Sequence, residues 1–177
     1  MMKDFKEMLS AELISITGGL IAGTILAFET NRLELIPGIL ILLPGFLEMR
    51  GNISGSLSAR LASGLFLGAL KPKIGKDRIL LGNVVASIVL VILLSLILGF
   101  VVYLGSYYFF GISSMKIILV ALVAGILSNF IEVPVAIVTT FWLFRHGHDP
   151  NNIMGPYITT VGDIVSIFSL LIAIAII

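Results

Sequence analysis

The sequence contains no cysteine, which excludes a disulfide framework, a thiolate metal site and a cysteine nucleophile. Charge is the second shortage. Only 12% of the 177 residues are Asp, Glu, Lys or Arg, about half the share of a soluble domain, while 58% are hydrophobic. Such a chain cannot cover a surface that faces water, so the bilayer becomes its solvent. A surplus of one sign is missing too: 11 basic residues stand against 10 acidic ones, without the basic patch that nucleic-acid binding needs. No HExxH, P-loop or nucleophile elbow occurs, so nothing reads as an enzyme. The two histidines, His146 and His148, read with Asp149 as polar loop residues rather than a zinc or nickel site.

What is present is a series of long apolar runs. A spanning helix needs roughly 20 apolar residues. Spans are predicted at about 9–28, 33–49 continuing helically to about 70, 84–108, 115–144 and 155–177. The first is read as a retained span, because its flank mixes Lys3 and Lys6 with Asp4 and Glu7 and no cleavage site follows Phe28. Pro37 and Pro44 in the second, and Asn129, Glu132 and Pro134 in the fourth, predict helices that are irregular or broken, since proline removes a backbone donor. One straight helix over 33–70 would be ~57 Å long, nearly twice the hydrocarbon thickness. Either a long projection or a change of direction near Gly45 or Gly51 is expected. Three GxxxG pairs, Gly19 with Gly23, Gly51 with Gly55 and Gly64 with Gly68, read as helix-packing positions.

The expectation is therefore an all-α integral membrane protein, one transmembrane domain over residues 1–177 with no soluble regulatory domain. With the N-terminus cytoplasmic, inside segments hold seven Lys and Arg and outside loops hold two, Arg32 and Lys116. That predicts a multi-pass protein of the cell (inner) membrane, N-terminus in and C-terminus out.

Ionisable groups within a span are expensive and need a reason. Three acids stand out: Asp163, Glu132 and Glu48. Asp163 follows Thr159, Thr160 and Gly162 and is predicted about eight residues, or about 12 Å, into the fifth helix. It reads either as an ion-binding carboxylate on a polar path or as a staple paired with Arg60. Glu132, beside Pro134, reads either as a second-site ligand or as packing glue tied to Asn129. Asn52 offers a hard amide oxygen at the end of the second span, and the hydroxyls of Ser54, Ser56 and Ser58 follow it.

Two segments together resemble one family. The first runs Pro44-Gly45-Phe46-Leu47-Glu48-Met49-Arg50-Gly51-Asn52, then Ser58-Ala59-Arg60-Leu61-Ala62. The second runs Asp149-Pro150-Asn151-Asn152-Ile153, then Pro156-Tyr157-Ile158-Thr159-Thr160 and Gly162-Asp163. Both resemble the transmembrane domain of MgtE-type magnesium transporters and, more closely, the related solute carrier family 41. Motif order, separation and the five-span layout agree over essentially the whole chain. The resemblance implies a path for Mg²⁺ or another divalent cation between two five-helix units, and hence a two-fold homodimer. It also implies that the ion-binding aspartate is Asp163 and that the polar turn of the second helix is Gly51 and Asn52. One departure is local: Glu48-Met49-Arg50 places charge where MgtE-type relatives are glycine-rich.

The expected function is transport of divalent cations, Mg²⁺ first, with Na⁺ or H⁺ as a possible coupling ion. The expected metal residues are Asp163, Asn52, Glu132, Thr159 and Gly51. The alternatives are a carrier for Mn²⁺, Co²⁺ or Ca²⁺ coupled to Na⁺ or H⁺, and a non-transporting membrane scaffold whose acids are structural staples.

Overall fold

The computed structural model describes residues 2–177. Five helices follow one another: α1 (Met2–Leu33), α2 (Ile39–Phe66), α3 (Arg78–Phe110), α4 (Lys116–Arg145) and α5 (Pro150–Ile176). No strand occurs among the described residues. Four helices, all but α2, are long and apolar enough to cross a membrane, which makes this a multi-pass membrane protein. Helix α2 has the length, 28 residues or about 42 Å, but its middle carries Glu48, Arg50 and Asn52. It packs against α3, α4 and α5, whereas α1 leans chiefly on α5.

Local chemistry sets the boundaries. Residues 34–38 turn the chain from α1 into α2, and Pro37 lies in that turn rather than in a helix. Gly38 takes a φ of 87°, left-handed backbone that residues with a Cβ avoid, and a Cβ there would sit 2.6 Å from Ser106 Oγ. The change of direction expected near Gly45 or Gly51 therefore falls before α2 begins. Pro44 and Pro134 lie inside helices that continue past them, so neither α2 nor α4 is broken. Their irregularity is a missing donor, which frees the carbonyls of Leu40 and Phe130. Packing on both sides of each proline outweighs the roughly 3 kcal/mol that an interior proline costs.

Helix α5 starts earlier than the apolar pattern predicts. Asp149 caps it by accepting from the Asn151 N–H at 2.9 Å, and Pro150 takes the first helical position, where its missing donor does no harm. Asp163 consequently lies at the midpoint of the helix, thirteen residues from either end.

Two apolar clusters form the core. One, around Leu42, Phe46, Val120, Ala124, Leu170 and Ala173, gathers the first part of α2 and α4 with the last part of α5. The other, around Leu57, Leu61, Val133, Ala136 and Ile158, gathers the opposite parts of the same helices. Between the clusters, at mid-bundle, α2 contributes Arg50 and Ser54, α4 contributes Asn129 and Glu132, and α5 contributes Gly162 and Asp163. This polar layer is where the two faces of α2 part company.

Close helix contacts use other glycines than the GxxxG pairs. A Cβ at Gly99 on α3 would meet the Ile118 Cα of α4 at 2.8 Å. Around Gly19, Gly23, Gly55 and Gly68 there is open space, and Gly64 faces only Leu70 beyond its own helix end. Within a single copy the GxxxG pairs therefore make no close helix contact; only Gly51 faces another helix, and a Cβ there would lie 3.9 Å from Thr159 of α5.

Candidate functional site

Consecutive residues of a helix point about 100° apart, and the middle of α2 uses this to send opposite chemistry to opposite sides. Arg50 turns inward and is fully buried. Its Nη2 lies 2.7 Å from Glu132 Oε1 of α4, and its Nη1 reaches Asn129 Oδ1 at 3.5 Å. Ser54, one turn along α2, donates to the other carboxylate oxygen of Glu132 at 2.6 Å. Glu132 is fully buried as well. Of the two readings of Glu132, this bonding matches the packing one: its oxygens lie against Arg50 and Ser54, and it does not line the cleft between α2 and α5. Asn129 serves Arg50 and not Glu132. The Arg50 charge on α2 is balanced by an acid from another helix.

Gly51, Asn52 and Glu48 turn the other way. With Gly55, Ser56, Pro44 and Leu47 they form one side of a cleft of about 660 Å³ whose other side is Gly155, Thr159 and Asp163 of α5. A Cβ at Gly51 would lie 3.9 Å from Thr159 Oγ1, ordinary contact distance, so the two residues face each other across the cleft. Of the five predicted metal residues, four share this cleft: Asp163, Asn52, Thr159 and Gly51. Sequence reasoning flagged Glu48 as an intramembrane acid but left it out of the site; it lies in the same cleft.

The polar groups of the cleft have their donors turned away. Thr159 Oγ1 donates to the Gly155 carbonyl at 3.0 Å, and Ser56 Oγ donates to the Ile53 carbonyl at 3.1 Å. Asn52 Nδ2 donates to Glu48 Oε1 at 3.0 Å, which leaves its carbonyl oxygen unused. Asp163 has no hydrogen bond or salt bridge among the described residues. Arg60, once its possible partner, donates instead to Asn83 Oδ1 at 2.6 Å and to Ser56 Oγ at 3.4 Å. What remains facing the cleft is oxygen with free lone pairs, the donor set of a hard cation or of its hydration water.

Next to Asp163, the position of Gly162 faces the buried pair: a Cβ there would lie 3.4 Å from Glu132 Oε2. The two acids of the polar layer thus face adjoining sides of α5, about 100° apart around its axis. At the end of the bundle, His148 Nδ1 lies 2.9 Å from Glu7 Oε1, and His146 Nδ1 bonds the Trp142 carbonyl at 2.8 Å. Among the described residues no three His, Asp or Glu side chains gather as a metal cluster.

The family model for the MgtE divalent cation transporter matches residues 43–173, from the second turn of α2 to near the end of α5. It takes in both sides of the cleft and the buried pair behind it. No curated protein matches the chain. An oxygen-lined cleft between α2 and α5, inside a helical membrane bundle matched over three quarters of its length, leads to one conclusion: the chain belongs to the MgtE family of divalent cation transporters.

Proposed function

We propose that the protein carries Mg²⁺ across the membrane along the α2–α5 cleft, closed by a second copy about a two-fold axis. The observation that carries this reading is the position of the cleft. Asp163, Asn52 and Thr159 lie at mid-span on the outer surface of one copy, with no counter-charge. A carboxylate and an amide facing lipid tails are strongly disfavoured, so this face needs either water or a partner carrying the same groups. A two-fold axis supplies both, and pairs two Asp163 carboxylates against one dication.

Mg²⁺ dehydrates reluctantly and is held by one or two carboxylates with several waters retained. Six waters occupy roughly 180 Å³ at bulk density, so the 660 Å³ cleft admits the ion with its shell. Asp163 supplies the charge. Asn52 Oδ1 and Thr159 Oγ1 accept hydrogen bonds from the ion's water, and Gly51 faces Thr159 across the cleft. The chain forms one transmembrane unit of five spans, α2 included. Lys71, Lys73, Lys76, Arg78 and Arg145 define the cytoplasmic face of an inner membrane, so the N-terminus is in and the C-terminus out. The scaffold alternative leaves the inward-turned donors of the cleft without a purpose.

Flux of Mg²⁺ into liposomes holding the reconstituted protein tests the reading. Wild type is expected to transport, and Asp163→Asn to lose transport by about a hundredfold while still dimerising. Running Mn²⁺, Ca²⁺ and a Na⁺ gradient in parallel separates a Mg²⁺ path from a coupled carrier of another ion. Asp163→Asn flux equal to wild type would overturn the assignment.

A further inference from the structure

We infer that Glu48 is a specificity-determining carboxylate of the path, setting its affinity for a doubly charged ion through its charge. The inference rests on the α2–α5 cleft being the path, and adds a residue that the resemblance does not supply.

Three observations carry it. The first is level. Gly51 lies opposite Thr159, and with α2 and α5 antiparallel, one turn away from that contact in opposite chain directions brings Leu47 beside Asp163. Glu48, the next residue, therefore stands at the depth of Asp163 across the same cleft. The second is its lack of a counter-ion. The nearest cation in sequence, Arg50, is turned inward onto Glu132, Arg60 is held by Asn83, and Glu48 forms no salt bridge among the described residues. The third is its single hydrogen bond. By accepting from Asn52 Nδ2, Glu48 Oε1 fixes which end of the amide meets the cleft, and Oε2 is left for the ion's water.

Each copy thus brings two acids to one depth, Asp163 from α5 and Glu48 from α2. A dication gains twice what a monovalent ion gains from each. Glu48 accordingly raises affinity and sharpens the preference for charge two over charge one, while the ion itself is held at Asp163.

The test is the Mg²⁺ concentration dependence of flux through the reconstituted full chain, comparing wild type, Glu48→Gln and Glu48→Ala. Gln keeps an oxygen that accepts from Asn52, so it removes the charge and spares the amide's orientation. Glu48→Gln is expected to raise the half-saturating Mg²⁺ concentration about tenfold, the worth of a unit charge about 6 Å from a dication at the screening of bulk water. Its maximal rate is expected to stay within about twofold of wild type, a split that a merely structural role does not produce. Unchanged half-saturation in Glu48→Gln overturns the inference, even if Glu48→Ala is impaired, since that isolates the hydrogen bond. Loss of flux in Asp163→Asn alongside an unaffected Glu48→Gln leaves the path standing and removes only this residue from it. Wild type without Mg²⁺ flux removes both.

Discussion

Glu132 and Asp163 are both acids at the middle of a membrane helix, and the fold treats them in opposite ways. Glu132 faces into the bundle and has Arg50 at 2.7 Å and Ser54 at 2.6 Å. Asp163 faces a cleft on the outside of the bundle and has neither a cation nor a hydrogen-bond donor among the described residues. A buried acid paired with a cation and a hydroxyl from another helix holds helices together. One left open at the same depth keeps its charge available for something that arrives from elsewhere. The sorting criterion is partnership rather than depth.

Stability measurements on folded protein in detergent test that contrast. The largest effect is expected from Glu132→Ala, which strands the Arg50 guanidinium inside the bundle. Such a break costs about 3–5 kcal/mol, and the variant should melt far below wild type or fail to accumulate. The double variant Arg50→Met with Glu132→Met sharpens the point: it should recover most of the loss, because two apolar side chains need no partner. Ser54→Ala comes next, at about 1.5–3 kcal/mol, the usual worth of a hydrogen bond to a charged group. Asp163→Asn closes the series at under about 0.5 kcal/mol, since no contact is lost within the chain. A melting loss for Asp163→Asn as large as that for Glu132→Ala would erase the distinction between the two acids.

The places where the sequence was legible are those governed by local rules. Apolar run length placed five helices close to where they lie, and the paired motifs brought Gly51, Asn52, Thr159 and Asp163 to one cleft. What escaped depends on which helices adjoin. Arg50 and Glu132 lie on α2 and α4, and nothing in either neighbourhood announces the other, so Glu132 read as a possible ligand and Arg60 as the possible partner of Asp163. Packing decides both. The prolines misled for a related reason: Pro44 and Pro134 lower the local preference for helix, yet neighbours on both sides hold α2 and α4 continuous. Asp149-Pro150 was legible as a motif, but its role as cap and first residue of α5 emerged only once the helix could be seen to begin there.

The lopsided attachment of α1 has a mechanical consequence. Thr160 bonds Ser15 at 2.9 Å, Gly18 lies against the same threonine, and Glu7 accepts from Asn152 at 3.3 Å, so α1 is fastened along α5. Toward α2 it is joined chiefly by the five-residue turn 34–38. Any displacement of α5 relative to the rest of the bundle would therefore load α1 directly, through fastenings spread from Glu7 to Gly18.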